Sequence, residues 1–345
     1  MFSYIIYNSI LINSILFSYW AEYCNTNFSR NICRVIVFLG MFLPAAVRYE
    51  VGYDYDNYTN LYHWMTGYGY LEFGYAFLQN LAQALSLESQ WIFVLSSFVM
   101  YFPVCFGIGR KDYSIIIPCY ILCVYPESLS FIRQYMAVSF LICGVYYYLY
   151  SESTRKSALY STASLLFHYS SALYLGFYAL RNKIKLTRPA TIWGIIAVFY
   201  LLIIKFNFIN FLFSLVAVAF SRYAGYQNSS WNTDTEMGSG LGVLARLFIP
   251  FCVFIFYKHI LKSNPKNHYM IVLNVAYVII NFMAVQIHIM GRLNSLFIFI
   301  QLFSFCELTK IENKYRKVIL ACLYIVTFMT YQKNILSVYP YQSIF

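Results

Sequence analysis

The reading turns on "VIVFLGMFLPAAVRYEVGYDYDNYTNLY", residues 35–62. Residues 35–47 hold no charged side chain, and Arg48, Glu50, Asp54 and Asp56 then follow within nine residues. An uncharged run that opens into a charged, tyrosine-rich stretch reads as the end of a membrane span and the start of a polar loop. Composition makes the same case for the whole chain. Of 345 residues, 61% are hydrophobic and only 11% charged, where a soluble domain carries about 25% charged residues. So much apolar surface needs lipid around it. Apolar runs recur at about 2–20, 31–47, 91–109, 113–129, 131–150, 157–180, 189–206, 207–222, 240–260, 269–290, 293–308 and 317–332. By length they amount to about 10–12 transmembrane helices. A backbone in lipid must satisfy its own hydrogen bonds, so the expected fold is all-α, a polytopic helical bundle. The short alternating segments of a β-barrel are not seen. One integral membrane domain, 1–345, is expected, with polar loops at about 48–90 and 223–240.

The formal net charge of +11 would suggest nucleic acid in a soluble protein. Here Lys and Arg fall in short loops, as the positive-inside rule expects, so no nucleic-acid partner is implied. Residues 1–21 are uncharged and lack the basic start of a signal peptide, which makes them a retained first span. The nine cysteines form no C-x-x-C and no Cys/His cluster, so neither a metal site nor a cofactor is expected. Cys119 and Cys123 share a helix face and read as packing residues.

The clearest basic loops are "GRKDY" (109–113), "SESTRKS" (151–157), "YKHILKSNPKNH" (257–268) and "TKIENKYRK" (309–317). All four belong on the cytoplasmic side. Residues 48–90, 125–130, 223–240 and 290–293 then lie on the outer side. "RNKIKLTR" (181–188) resists this scheme. Either 157–180 is one span and the basic loop lies outside, or 157–180 breaks near His168 into a re-entrant pair while 207–222 lies flat. The unbroken span is preferred, because 24 residues are short for two half-helices and a turn. "LEFGYAFLQNLAQALSLES" (71–89) reads as an amphipathic segment suited to the interface.

Few ionisable residues remain near membrane depth, and each is costly there, about 2.5–3.5 kcal/mol at the centre. Arg133, His168, Arg246, His288 and Arg292 stand out, with Glu127 at the end of its run. Arg48, Glu72, Glu127, Arg133, Arg246 and Arg292 all fall close to the outer ends of their spans. One shared level suits a catalytic site at an interface, whereas a translocation path would spread polar groups through the bilayer. Each residue also has a plainer use. Arg133 and Gln134 can snorkel to headgroups, His168 can bond a neighbouring helix, and "YYYLY" (146–150) suits an aromatic belt. In the loop, Gly52 permits a tight bend. An extended backbone would put Asp54 and Asp56 on one face and Tyr53 and Tyr55 on the other, a composition compatible with a sugar site or with an ordinary surface loop.

Taken together, "VRYEVGYDYDNY" (47–58), "LEFGYAFL" (71–78), "FIRQYMAVSF" (131–140) and "LLFHYSSAL" (165–173) resemble the R-x-x-x-G-x-D-x-x-x-Y, E-x-G-[YF], R-Q-x-x-A and F-H-x-S segments of EpsG-like polysaccharide polymerases. That family includes many Wzy-type O-antigen polymerases. "GRLNSLF" (291–297) resembles the late arginine of the pattern, and Tyr53 departs from it, standing where a small or hydroxyl residue is common. The resemblance implies a reaction at the periplasmic face of a bacterial inner membrane. A growing glycan passes from undecaprenyl diphosphate to the non-reducing end of another carrier-linked repeat unit. It implies Asp54, Glu72 and His168 as catalytic groups, with Asp54 or Glu72 foremost for the base. Arg48, Tyr58, Arg133, Gln134, Arg246 and Arg292 would bind substrate. A chain-length-regulating co-polymerase is an implied partner, alongside the lipid-linked oligosaccharide and the bilayer. A flippase or transporter of the same oligosaccharide, or an O-antigen ligase, is the alternative.

Overall fold

The computed structural model describes residues 2–64, 71–151, 153–186, 188–206, 208, 240–286, 290–312 and 316–345. Within these the fold is all-α, and the only extended pairing is an isolated antiparallel bridge between Arg48 and Ser343. Five helices are long and apolar enough to cross a bilayer: Phe2–Tyr23, Asn27–Ala46, Gln90–Gly107, Asn267–Gln286 and Arg316–Val338. A sixth span results if Leu241–Ile255 and Tyr257–Ser263, bent by 68°, count as one. The protein is a multi-pass helical membrane protein.

The described residues divide into two compact units, Met1–Gly176 with Tyr324–Phe345, and Phe177–Leu323. The first unit holds α1 (Phe2–Tyr23), α2 (Asn27–Ala46), α3 (Tyr55–Trp64), α4 (Phe73–Ala84) and α5 (Gln90–Phe102). It continues with α6 (Tyr113–Cys123), α7 (Tyr125–Ser128), α8 (Ile132–Tyr150), α9 (Thr154–Ala163) and most of α10 (Ser171–Ala179), whose last residues belong to the second unit. Helix α1 packs on α2 and α6, α5 on α2 and α8, and α8 on α9. Helix α8 is the core of this unit, with Met136, Ala137, Val138, Leu141, Ile142 and Cys143 fully shielded. Ser157 of α9 donates to the Gly144 carbonyl (2.7 Å), the kind of small-residue contact that lets two membrane helices approach closely. Cys119 and Cys123 of α6 are both buried, as packing residues should be.

The two ends of α8 differ in charge. At its C-terminal end, Lys111 lies over the Tyr150 ring (5.0 Å) and Lys156 over Tyr147 (5.2 Å). Arg34 donates to the Gly109 carbonyl nearby (3.0 Å). The basic loops 109–113 and 151–157 therefore meet at one end of the unit, as the charge pattern anticipates. Arg133 begins the other end.

The 157–180 run is not the unbroken helix preferred above. Helix α9 passes through a single 3-10 turn, Ser164–Leu166, and the chain breaks before α10 starts at Ser171. At the break the Ser171 N–H turns back to the His168 carbonyl (3.1 Å). The contacts of Phe167 and His168 described below hold the opening. Residues 209–222, needed to choose between the two topologies, lie outside the described residues, as do His288 and 223–239 of the second polar loop.

The second unit contains α11 (Pro189–Tyr200), α12 (Leu241–Ile255), α13 (Tyr257–Ser263), α14 (Asn267–Gln286), α15 (Met290–Phe297) and α16 (Ile300–Thr309). Helix α17 (Arg316–Ile335) starts in this unit and ends in the first. Asn267, Asn274 and Asn281 recur every seven residues along α14, which places them on one face, and all are buried. Asn267 donates to Glu307 (3.0 Å), Asn274 to Ser304 (2.8 Å) and Asn281 to Asn294 (2.8 Å). Gln301 donates to the Tyr277 hydroxyl (2.8 Å) between them. A seam of uncharged polar groups thus runs the length of α14.

Candidate active site

The polar loop after α2 is shaped by a glycine. Gly52 has φ +99°, and a Cβ there would stand 2.4 Å from the Leu129 carbonyl oxygen. Only glycine tolerates both the angle and the approach. The adjacent Tyr53 N–H donates to Ser130 Oγ (3.1 Å), so the loop lies on the turn between α7 and α8. Helix α3 starts at once, at Tyr55. Asp54 and Asp56 therefore do not project from an extended strand. Asp54 is half-buried before the helix, accepts from Asn57 Nδ2 (3.2 Å) and, through its carbonyl, from the Tyr58 N–H. Asp56 lies in the first turn, exposed.

One turn on, Tyr58 is buried and its hydroxyl accepts from the Arg133 backbone N–H (3.5 Å). The Tyr75 ring packs 5.7 Å from Tyr58 and 5.8 Å from the Arg133 guanidinium. Tyr75 is fully buried, and its hydroxyl and Arg133 Nε have no hydrogen-bond partner among the described residues. A buried polar atom left in that state costs free energy that a polar ligand recovers.

Glu72 holds the centre. It stands at the N-cap of α4, but its side chain does not cap the helix. Glu72 Oε2 accepts from Arg133 Nη1 (2.6 Å), and Oε1 faces His168 Nδ1 (3.2 Å). Glu72 is 3% exposed, whereas the Arg133 and His168 side chains are 24% and 23% exposed. Gly74 makes the assembly possible, since a Cβ there would lie 2.6 Å from the Phe167 ring and 2.8 Å from the Leu166 carbonyl. The first turn of α4 therefore seats directly on the break that carries His168.

Burial alone would raise the Glu72 pKa, but the His168 hydrogen bond and the Arg133 charge outweigh it and hold the carboxyl at about 2. Glu72 is thus an anion at neutral pH and a very weak base. Because it can only accept, His168 Nδ1 must donate. A neutral His168 then presents Nε2 as a proton acceptor, the arrangement in which a carboxylate orients an imidazole. The cluster offers an oriented base beside a fixed guanidinium.

Sequence reasoning named Glu72, Arg133, His168 and Tyr58, and the structure brings these four together. It also adds Tyr75, Gly74 and Phe167, one of which, Phe167, adjoins a named residue. Arg48 is placed differently from its expected position beside a lipid diphosphate. It is 2% exposed, its guanidinium bonds the Ala45 carbonyl, and it lies over the Phe93 ring (4.8 Å). Gln134 is buried behind Arg133, and Glu127 accepts from the Tyr135 hydroxyl (2.6 Å). Arg246, exposed on α12, and Arg292, half-buried in the first turn of α15, belong to the second unit.

The model of the EpsG family matches residues 31–343, nearly the whole chain. The chain belongs to the EpsG family. EpsG-like proteins are polysaccharide polymerases of the Wzy type, so this is a polysaccharide polymerase-like, multi-pass membrane protein. No curated protein and no solved structure matches the chain.

Proposed function

We propose that this EpsG-family protein polymerises O-antigen or a similar glycan. It transfers the growing chain from undecaprenyl diphosphate to the non-reducing sugar of a second carrier-linked repeat unit, at the periplasmic face of the inner membrane. The observation that carries the proposal is the division of Glu72 between Arg133 and His168. Glycosyl transfer from a lipid diphosphate has two electrostatic needs, and this pair meets both. The acceptor hydroxyl oxygen attacks the anomeric carbon, and its proton passes to His168 Nε2. The bond from the anomeric carbon to the phosphate oxygen breaks, and the diphosphate leaves with the electron pair. Arg133 neutralises that charge with a planar, permanently ionised donor set. Glu72 fixes the imidazole and the guanidinium, and its low pKa moves the base assignment from Glu72 to His168. Asp54, half-buried on the same loop, orients the acceptor sugar, and Arg246 and Arg292 are assigned to the anionic carriers. Gln134 supports Arg133 from behind. The polar loop after α2 lies at the end of α8 opposite the basic loops, which favours a periplasmic site.

The polar seam of α14 supports a second reading, a flippase of the same oligosaccharide, because it spreads polar groups through membrane depth. Its asparagines donate to neighbouring side chains and are shielded from solvent, so polymerisation is preferred. The test is reconstitution with lipid-linked repeat units. Wild type should build long glycans and H168A should not. Carrier crossing without chain growth would establish the flippase, and transfer to lipid A core alone would establish a ligase. A co-polymerase partner would appear as narrowed chain-length distribution when that protein is added.

A further inference from the structure

Arg48 is the most deeply buried cation of the first unit, and its surroundings are built by chain from distant positions. Two main-chain hydrogen bonds flank it, from the Tyr49 N–H to the Gln342 carbonyl (3.0 Å) and from the Ile344 N–H to the Val47 carbonyl (3.0 Å). The 342–344 strap is itself tied down. Tyr341 donates from its N–H to Ser3 Oγ (2.9 Å) and from its hydroxyl to the Pro44 carbonyl (2.9 Å). The Tyr7 hydroxyl donates to the Val338 carbonyl (3.1 Å), and the Tyr331 hydroxyl to the Tyr7 carbonyl (2.7 Å). Tyr101, Tyr125, Tyr7 and Tyr55 lie within electrostatic range of the guanidinium. A desolvated guanidinium without a carboxylate is costly, and face-on aromatic contact offsets part of that cost.

Physical contact runs from this clasp to the candidate site. Arg48 and Tyr55 both lie against the Phe93 ring, at 4.8 and 4.4 Å, with Tyr55 stacked at 3°. Gln90 bonds the Ala46 and Arg48 carbonyls (2.7 and 3.2 Å) and accepts from the Tyr55 hydroxyl (3.1 Å). Tyr55 is the first residue of α3, and Tyr58, one turn later, accepts from the Arg133 N–H.

We infer that Arg48 and the Gln342–Ile344 strap are positioning elements for the site, fixing the start of α3 so that Tyr58 holds the first turn of α8 and with it Arg133. The inference rests on the proposed polymerase only for its activity arm. Two variants test it in full-length protein in lipid nanodiscs. Ile344→Pro deletes the strap's N–H donor and also fixes its φ and constrains Ser343, and Arg48→Gln removes the charge. Both should speed amide exchange across residues 52–62 by about tenfold or more, and leave exchange along α14 unchanged. With lipid-linked repeat units, kcat per folded molecule should fall about tenfold while the donor KM stays within twofold, as expected for a misplaced rather than missing group. Unchanged exchange at 52–62 in both variants overturns the inference. So does a loss of turnover that merely tracks loss of folded protein. If wild type makes no glycan at all, the polymerase proposal fails while the exchange arm still decides the positioning role.

Discussion

Glu72 and Glu307 are both buried carboxylates, each 3% exposed and each paired with a cation. Their surroundings teach different lessons. Glu307 is ringed by three donors. Lys310 reaches it from the same helix (2.9 Å), and Ser263 at the end of α13 and Asn267 at the start of α14 donate from 44 and 40 positions away (2.7 and 3.0 Å). Glu72 is served from afar, by Arg133 and His168, 61 and 96 positions along the chain. Beside it stand an orphaned Tyr75 hydroxyl and an orphaned Arg133 Nε, and the His168 ring turns its second nitrogen away from the carboxylate. At Glu307 the atom left over among the described residues is an acceptor, Asn267 Oδ1, which offers nothing to an anion. A network left with spare donors beside an imidazole is arranged for an anionic ligand.

The sharpest way to break this contrast is to neutralise each carboxylate in turn. E72Q should reduce polymerisation by about 100-fold or more, because it releases both the base and the guanidinium. E307Q should lower thermal stability by about 1–3 kcal/mol and leave the activity of the remaining folded protein within twofold. Equal effects of the two variants on turnover per folded molecule would erase the distinction. Next in size is R133K, with an expected loss of about 10- to 100-fold and normal membrane insertion, since lysine keeps the charge but not the fork. Near-normal turnover in R133K would return Arg133 to a snorkelling role. G74A should follow, with a several-fold loss of activity. The added methyl meets Phe167 and the Leu166 carbonyl, and overpacking of this kind costs about 1–3 kcal/mol. A spectroscopic probe on His168 should report a changed environment in G74A; an unchanged one would mean that Gly74 does not seat α4 on the break.

The contrast also marks what sequence can disclose. Fold class was legible because 61% hydrophobic residues admit few other solvents. Glu72, Arg133 and His168 were legible because a charge near an apolar run is conspicuous. Their partnership came from the resemblance and the structure, since nothing in spacing joins positions so far apart. Arg48 was misjudged because its counter-environment is made of aromatic rings and backbone from residues 341–344, which carry no charge signal. The break at His168 was set aside on length alone, and the contact that holds it open belongs to Gly74. The α14 seam escaped because asparagines at seven-residue spacing are silent to a search for charges.

The smallest expected effect is an absence, and it tests the electrostatics most directly. Glu72 has its pKa depressed to about 2 from the ordinary 4.5. A depressed carboxyl contributes stability that is fully present above pH 4.5 and is lost as pH falls through 2. The size is about 3 kcal/mol, because each tenfold change in proton affinity is worth about 1.4 kcal/mol. Between pH 8 and pH 5, therefore, Glu72 does not change charge, and any pH dependence of turnover there belongs to other groups. Infrared difference spectra of wild type against E72Q should show one carboxylate band that is constant over that interval. The stability gap between the two proteins should be constant as well, and should narrow only below pH 4.5. A Glu72 carboxyl that takes up a proton near pH 6 would make it, and not His168, the group suited to general base catalysis.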